Sequence, residues 1–225
     1  MRTVVFDLDG TLADTSGDLI AAANACFTAR GHAAQLDPAS DALIAFHGGR
    51  AMLTAGYDRL GIPEDEREAL IEADYYPLLA YYGENIDRHT TLYPGAVAAV
   101  QALRAQGYAT AICTNKPEGL ARDLLAKFEI SELFDALIGA DTLPLRKPSP
   151  EPYHAAVERA GGTVSASLLV GDTNTDRETA RAVGVPCILV TFGPEGRAIE
   201  RLAPEALLDH FDALPDLVAG MLGSA

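Results

Sequence analysis

Asp7 and Asp9 stand two residues apart in Asp7-Leu8-Asp9-Gly10-Thr11, and three more polar clusters follow along the chain. These are Thr114-Asn115-Lys116, Arg146-Lys147-Pro148 and Gly171-Asp172-Thr173-Asn174-Thr175-Asp176. Carboxylates crowded together repel one another and drive pKa values up unless a cation lies among them. Oxygen ligands with no His or Cys nearby suit a hard ion, Mg2+ above all. A carboxylate that attacks phosphorus needs its target's negative charge neutralised, which Mg2+, Lys147 and backbone N–H groups would do. Asp9 can protonate a leaving oxygen and then activate water. Thr114 and Asn115 offer hydrogen-bond donors to a phosphoryl group in transit.

Taken singly, each cluster has a plainer reading. Asp, Thr and Asn all favour turns and helix N-caps. Lys147-Pro148-Ser149-Pro150 reads as a helix entry with Pro150 near the first helical position. The last cluster looks like part of a calcium loop but lacks the closing Glu. Lysine is scarce, however: Lys116, Lys127 and Lys147 are the chain's only three, and two of them fall in these clusters. The four motifs together, each at an element end, favour the chemical reading.

The elements that must position them follow from apolar patterning. Thr3–Leu8, Tyr108–Cys113, Leu168–Val170 and Pro186–Val190 read as buried parallel strands, and Phe134–Ile138 adds another. Ala96–Gln106, Pro117–Lys127, Pro150–Ala160 and Thr175–Val183 have helical spacing, with Gly107 and Gly184 placed as C-terminal caps. Strand and helix in alternation predict an α/β fold, a doubly wound, Rossmann-like parallel sheet. In such a sheet, ligands bind beyond the carboxyl ends of the strands, where the polar clusters fall. The interval 14–90 breaks the rhythm with helical patterns at Ser16–Arg30, Arg50–Leu60 and Glu64–Tyr82 and no strand. It is expected to form an inserted all-helical cap, leaving 1–13 and 91–225 as the catalytic core. Ala13–Gly17 and Gly83–Tyr93 are the expected linkers. Tyr75, Tyr76, Tyr81 and Tyr82 are expected to serve packing.

Bulk properties narrow the field. The 225 residues are 48% hydrophobic and 22% charged, an ordinary globular composition. A net charge of −15 argues against nucleic-acid binding, which shows as a basic face. No apolar run approaches the ~20 residues of a membrane helix, and Met1–Phe6 is too short for a secretory signal. Cys26, Cys113 and Cys187 form no CxxC pair and read as reduced, mostly buried thiols. The expectation is a cytoplasmic protein, monomer or homodimer, with a small phosphorylated metabolite as partner.

With the motifs DLDGTLADT (7–15), CTNK (113–116), KP (147–148) and GDTNTD (171–176), the chain resembles the haloacid dehalogenase-like hydrolase superfamily. Among its members it is most similar to the phosphoglycolate phosphatases, and the resemblance spans nearly the whole chain. It implies that Asp7 is a nucleophile forming a phospho-aspartate and Asp9 a general acid/base. It implies Mg2+ held by Asp7, the Asp9 main-chain carbonyl and Asp172, with Asp176 in support. It implies phosphoryl contacts from Thr114 and Lys147, beside the Asn115 donor read from the residues themselves. Thr173, where many members carry Ser, keeps the hydroxyl.

Asp9 speaks against a dehalogenase, and the absence of lysine from residues 14–90 speaks against Schiff-base chemistry in the cap. A β-phosphoglucomutase or a pyrophosphatase would share the same core residues. A catalytically silent scaffold has no reason to retain so much costly charge, and a phosphoacceptor domain would lack both the insert and the Asp-x-Asp spacing. Substrate choice is expected to lie with Gly49 and Arg50 in His47-Gly48-Gly49-Arg50, where Arg50 would clasp a substrate carboxylate. Lys116 is a second candidate for that task.

Overall fold

A computed structural model describes residues 1–223; Ser224 and Ala225, which close the expected core segment, lie outside the described residues. Chain contacts divide the protein into two compact units, one of Met1–Asp14 with the chain from Leu92 on, the other Thr15–Thr91.

The first unit is built on a six-stranded sheet. Its strands are β1 (Thr3–Phe6), β4 (Ala109–Cys113), β5 (Ala136–Ile138), β6 (Ser167–Gly171), β7 (Cys187–Val190) and β8 (Ala206–Leu208). The two-residue strands β2 (Ala13–Asp14) and β3 (Thr91–Leu92) lie outside that sheet. The order is β5-β4-β1-β6-β7-β8 and every pairing is parallel. A parallel sheet is covered on both faces, so its strands are apolar without alternation. β1, β4, β6 and β7 are buried at every position, and Val5, Ala111, Leu169, Leu189, Tyr153 and Val157 share one core cluster.

The covering helices are α5 (Ala96–Ala105), α6 (Glu118–Lys127), α7 (Pro150–Arg159), α8 (Asn174–Val183) and α9 (Leu214–Leu222). Gly184 has φ +82° and ends α8, and Gly107 has φ +90° just past α5, as their placement predicted. The chain runs from β1 outward through β4 to β5, then crosses back to β6 and outward again to β8. Strand order therefore reverses beside β1, the place where doubly wound sheets bind ligands.

The second unit holds α1 (Ser16–Ala29), α2 (Pro38–Phe46), α3 (Gly49–Arg59) and α4 (Glu64–Glu84). Ile20, Phe27, Met52, Leu53, Tyr57, Leu78 and Tyr82 are buried there, with the Phe27 and Tyr57 rings edge to face at 5.1 Å. Asp74 is buried among them and accepts from Arg30 Nε and Nη2, both at 2.7 Å, and from the Tyr57 hydroxyl. Asp18, also buried, accepts from the backbone N–H groups of His89 and Thr90 and from the Thr90 hydroxyl. No described helix is long and apolar enough to cross a membrane.

Several expectations need correction. β1 ends at Phe6, not Leu8, because the Leu8 carbonyl accepts from Leu12 (3.0 Å) and Ala13 (3.1 Å) and turns the chain. Gly83 is helical, since α4 runs to Glu84, and does not begin a linker. Tyr82 is packed, but Tyr76 is 74% exposed. Unforeseen were α2, α9 and β8. α2 carries a readable signal, Asp37 capping Ala39 N at 2.9 Å with Pro38 next, but Ala45 is the one apolar residue it fully buries.

Candidate active site

The polar clusters meet at the carboxyl ends of β1, β4 and β6. Phe6 pairs with both Ile112 and Val170, which brings the residues just beyond, Asp7, Thr114 and Asp172, to one edge. Carboxylate oxygens of Asp7, Asp172 and Asp176 lie within 4.8 Å of one another. Into this group reaches Lys147, whose ammonium stands 2.6 Å from Asp176 Oδ1 and 3.1 Å from Asp7 Oδ2. Its side chain is 1% exposed, so the ion pairs are nearly water-free.

Local structure explains each placement. Gly171-Asp172-Thr173-Asn174-Thr175-Asp176 opens α8, and Asp176 is the third helical residue, in a capping box with Thr173. Its Oδ2 accepts from Thr173 N (3.1 Å), Thr173 Oγ1 (2.8 Å) and Asp172 N (3.3 Å), while Oδ1 holds Lys147. One side chain thus caps a helix and anchors the cation. Lys147 is held from the other side as well, because Asn115 Nδ2 donates to its carbonyl at 3.0 Å. Asn115, expected among the phosphoryl donors, spends this amide bond on positioning. The Thr114 hydroxyl accepts from Lys116 N at 3.2 Å and lies beside the cluster.

Asp9 is set apart from the carboxylate group by its partner. Lys116 Nζ binds both of its oxygens, at 2.8 and 3.1 Å, with the lysine side chain 3% exposed and that of Asp9 19%. The pairing of Lys116 with Asp9 spans 107 residues and has no sequence signature.

Electrostatics follow from burial. Asp7 is pushed up to about 6, by desolvation first and then by Asp176 and Asp9, against the pull of Lys147 and the Leu8 N–H. Asp172 is driven well above the carboxylate range by desolvation, with Asp176 and Asp7 adding to it. Lys147 is raised: burial alone would lower it, but the Asp176 and Asp7 charges prevail. Asp172 Oδ1 accepts from Thr11 Oγ1 at 3.0 Å, whereas Oδ2 is buried without a hydrogen-bond partner. A buried carboxylate oxygen lacking a donor, in an all-oxygen set, fits a hard divalent cation such as Mg2+.

Three contributors escaped the sequence reading. Thr11 orients Asp172. Gly193, after β7, packs so closely that a Cβ there would stand 3.2 Å from the Gly10 carbonyl and 3.3 Å from Asp172 Cβ. Tyr93 is raised by burial and by the charges of Asp14 and Asp172, and its ring packs tilted against Phe192 with centroids 4.8 Å apart. Only Thr11, next to Asp-x-Asp-Gly, lay inside a motif.

Gly49 and Arg50 belong to the helical unit. Gly49 begins α3, and the Arg50 guanidinium is bound by both oxygens of Glu72 and stacked 4.7 Å from the Tyr75 ring centroid. The bidentate carboxylate partner foreseen for Arg50 is met within its own unit. Cys113 is pushed up to about 12 by burial, and all three cysteines are buried and free, so thiol chemistry is not offered.

A family model described as haloacid dehalogenase-like hydrolase matches residues 4–190. The chain is 36% identical over 213 residues to a phosphoglycolate phosphatase of Mesorhizobium japonicum, covering 94% of this chain and 92% of that one. It is 37% identical over 226 residues to a phosphoglycolate phosphatase of Cereibacter sphaeroides, covering 99% and 100%. A crystal structure from Haemophilus somnus, described as a predicted phosphoglycolate phosphatase, superposes with a TM-score of 0.82 at 26% identity, covering 96% and 97%.

Proposed function

The chain belongs to the haloacid dehalogenase-like hydrolase family, and from that premise we propose that it is a Mg2+-dependent phosphatase acting on a small phosphate monoester, phosphoglycolate first. The observation that carries this reading is Asp7 set between Lys147 and Asp172, with the Lys116-bound Asp9 two residues on.

The residues divide the work as follows. One Asp7 oxygen attacks phosphorus, and the P–O bond to the leaving oxygen breaks as the Asp7–phosphoryl bond forms. Asp9 gives its proton to the departing oxygen, so the alcohol leaves neutral. Water then attacks the phosphoryl group, loses a proton to Asp9, and displaces Asp7, releasing inorganic phosphate. Lys147 and Thr114 hold the phosphoryl oxygens. Mg2+ would be held by Asp7, Asp172 and the Asp9 carbonyl, with Asp176 behind, and when bound it supplies neutralisation of phosphoryl charge. The full set of relatives quoted above supports phosphoglycolate as substrate over a mutase or pyrophosphatase reaction. The helical unit 15–91 is read as the cap that governs access.

The test is phosphate release from phosphoglycolate, sugar phosphates, nucleotides, pyrophosphate and p-nitrophenyl phosphate, with and without Mg2+. Metal-dependent release that disappears in Asp7→Asn is the expected result. Release that survives in Asp7→Asn would sink the mechanism.

A further inference from the structure

We propose that Lys116 is the residue that selects a substrate bearing a carboxylate next to the leaving oxygen, an inference that rests on the phosphatase reading above. Its ammonium is 2.8 and 3.1 Å from the two Asp9 oxygens, and its side chain is 3% exposed. As an acid, Asp9 must come within about 3 Å of the ester oxygen it protonates. In a phosphorylated 2-hydroxy acid, ordinary C–O and C–C bond lengths put the nearer carboxylate oxygen roughly 3 Å from that ester oxygen. The cation that grips Asp9 therefore lies where the carboxylate of such a substrate arrives.

Two further observations favour Lys116 over other cations. Lys147 is spent on Asp7 and Asp176, and Arg50 on Glu72 and Tyr75. The position of Lys116 is also firmly set. Its N–H donates to Thr114 Oγ1 at 3.2 Å and its carbonyl accepts from Ala140 N at 2.9 Å, so the backbone is pinned immediately after β4. A lysine held this way reads distance. A carboxylate one carbon from the ester oxygen reaches it, and an ester with no carboxylate gains nothing from it. In the bound complex the ammonium bridges Asp9 and the substrate carboxylate, tying recognition to the orientation of the acid.

The experiment compares kcat/KM for phosphoglycolate and for ethyl phosphate, its counterpart without the carboxylate, in wild type, Lys116→Met and Lys116→Arg. Wild type is expected to prefer phosphoglycolate. Lys116→Met is expected to narrow that preference by about 30-fold or more, the effect of removing one partner of a buried charge pair, and Lys116→Arg to keep part of it. Lys116→Gln gives the same comparison should the Met variant not fold. A preference ratio unchanged in the variants, with both esters slowed together, would overturn the inference and leave Lys116 acting on Asp9 alone. A wild type that cleaves both esters equally would also overturn it while leaving the phosphatase reading intact. A wild type that cleaves neither with Mg2+ would overturn the inference together with phosphoglycolate as the substrate, and release from the wider ester panel would then decide the phosphatase reading.

Discussion

Gly10 offers the sharpest test of how backbone shape sets the carboxylate group. Its φ is +77°, and an added Cβ would overlap Asp172 Oδ2 and stand 2.7 Å from Asp172 Cγ. Gly10→Ala then carries two costs. The left-handed backbone costs about 1–2 kcal/mol for a residue with a Cβ. Pushing Asp172 aside breaks its 3.0 Å bond from Thr11, worth about 0.5–1.5 kcal/mol for the protonated carboxyl that burial favours in the metal-free protein. Together they lower stability by about 1.5–3.5 kcal/mol, or a Tm fall of roughly 3–14 °C for a chain of this size. Gly184→Ala is the control, because its φ is +82° and nothing lies within 4 Å of its added Cβ. It should lose only the backbone share, about 1–2 kcal/mol. The two variants separate further in Mg2+. At a concentration 100 times the wild-type Kd, bound metal stabilises by about 2.7 kcal/mol, and a tenfold weaker site reduces this to about 1.4 kcal/mol. Melting each variant in EDTA and in that Mg2+ concentration reads both effects without any turnover assay. If Gly10→Ala matches Gly184→Ala in EDTA and keeps the full Mg2+ increment, Asp172 does not depend on Gly10 and the reasoning fails.

Three more outcomes are expected. Lys147→Met removes the cation between Asp7 and Asp176, should cost about 3–5 kcal/mol, and should lower Tm in EDTA by about 10 °C; an unchanged Tm would mean that the carboxylates are neutralised by other means. Asp41, held down to about 2 chiefly by hydrogen bonds from Arg59, contributes stability that is whole above pH ~4.5 and is lost as pH falls towards 2. Because the Arg59 side chain is 42% exposed, that contribution is discounted to about 1 kcal/mol, and urea midpoints of wild type and Asp41→Asn should converge between pH 5 and 3. Equal midpoint differences at both pH values would refute this assignment. Gly83→Pro falls inside α4 and should destabilise the helical unit by about 3 kcal/mol, read as earlier unfolding of that unit by limited proteolysis; intact resistance would show that the last turn of α4 does not matter.

How much of this was legible in the sequence depended on the range of each interaction. The strands and helices of the sheet unit were readable because buried parallel strands are apolar throughout and glycine closes α8 in a conformation other residues avoid. β8 was not, since it is three residues long with only Leu208 fully buried and gives no run. The site divides in the same way. Asp176 and Thr173 lie three residues apart, and their capping box could have been inferred from spacing alone. The bonds of Asp9 to Lys116 and of Thr11 to Asp172 span 107 and 161 residues. Strand register creates both, and register is a property of the folded sheet. Arg50 shows the converse. Its glycine-flanked setting suggested exposure to a ligand, but Glu72 and Tyr75, about two and three turns into α4, take up the guanidinium.

Charge counting shows why the proposed metal has to be divalent. Asp9 and Lys116 neutralise one another as a pair. Asp7, Asp172 and Asp176, when ionised, carry three negative charges against the single positive charge of Lys147, leaving two uncompensated. Water cannot screen them, because Asp172 and Asp176 are 1% and 0% exposed. Without a metal ion the protein lowers this charge by holding protons: Asp7 and Asp172 are raised by desolvation first and by the neighbouring carboxylates in addition. A protonated Asp7 is a poor nucleophile, so a site that resolves its own repulsion by protonation loses its nucleophile progressively as pH falls through about 6. A divalent ion there would balance the two charges, favour the ionised form of Asp7, and give Asp172 Oδ2 the partner that no donor among the described residues provides. Mg2+ dependence of activity and recovery of an ionised Asp7 are then one event. The acid limb of the kcat/KM profile should therefore move to lower pH as Mg2+ rises, and a limb that stays fixed across Mg2+ concentrations would separate the two.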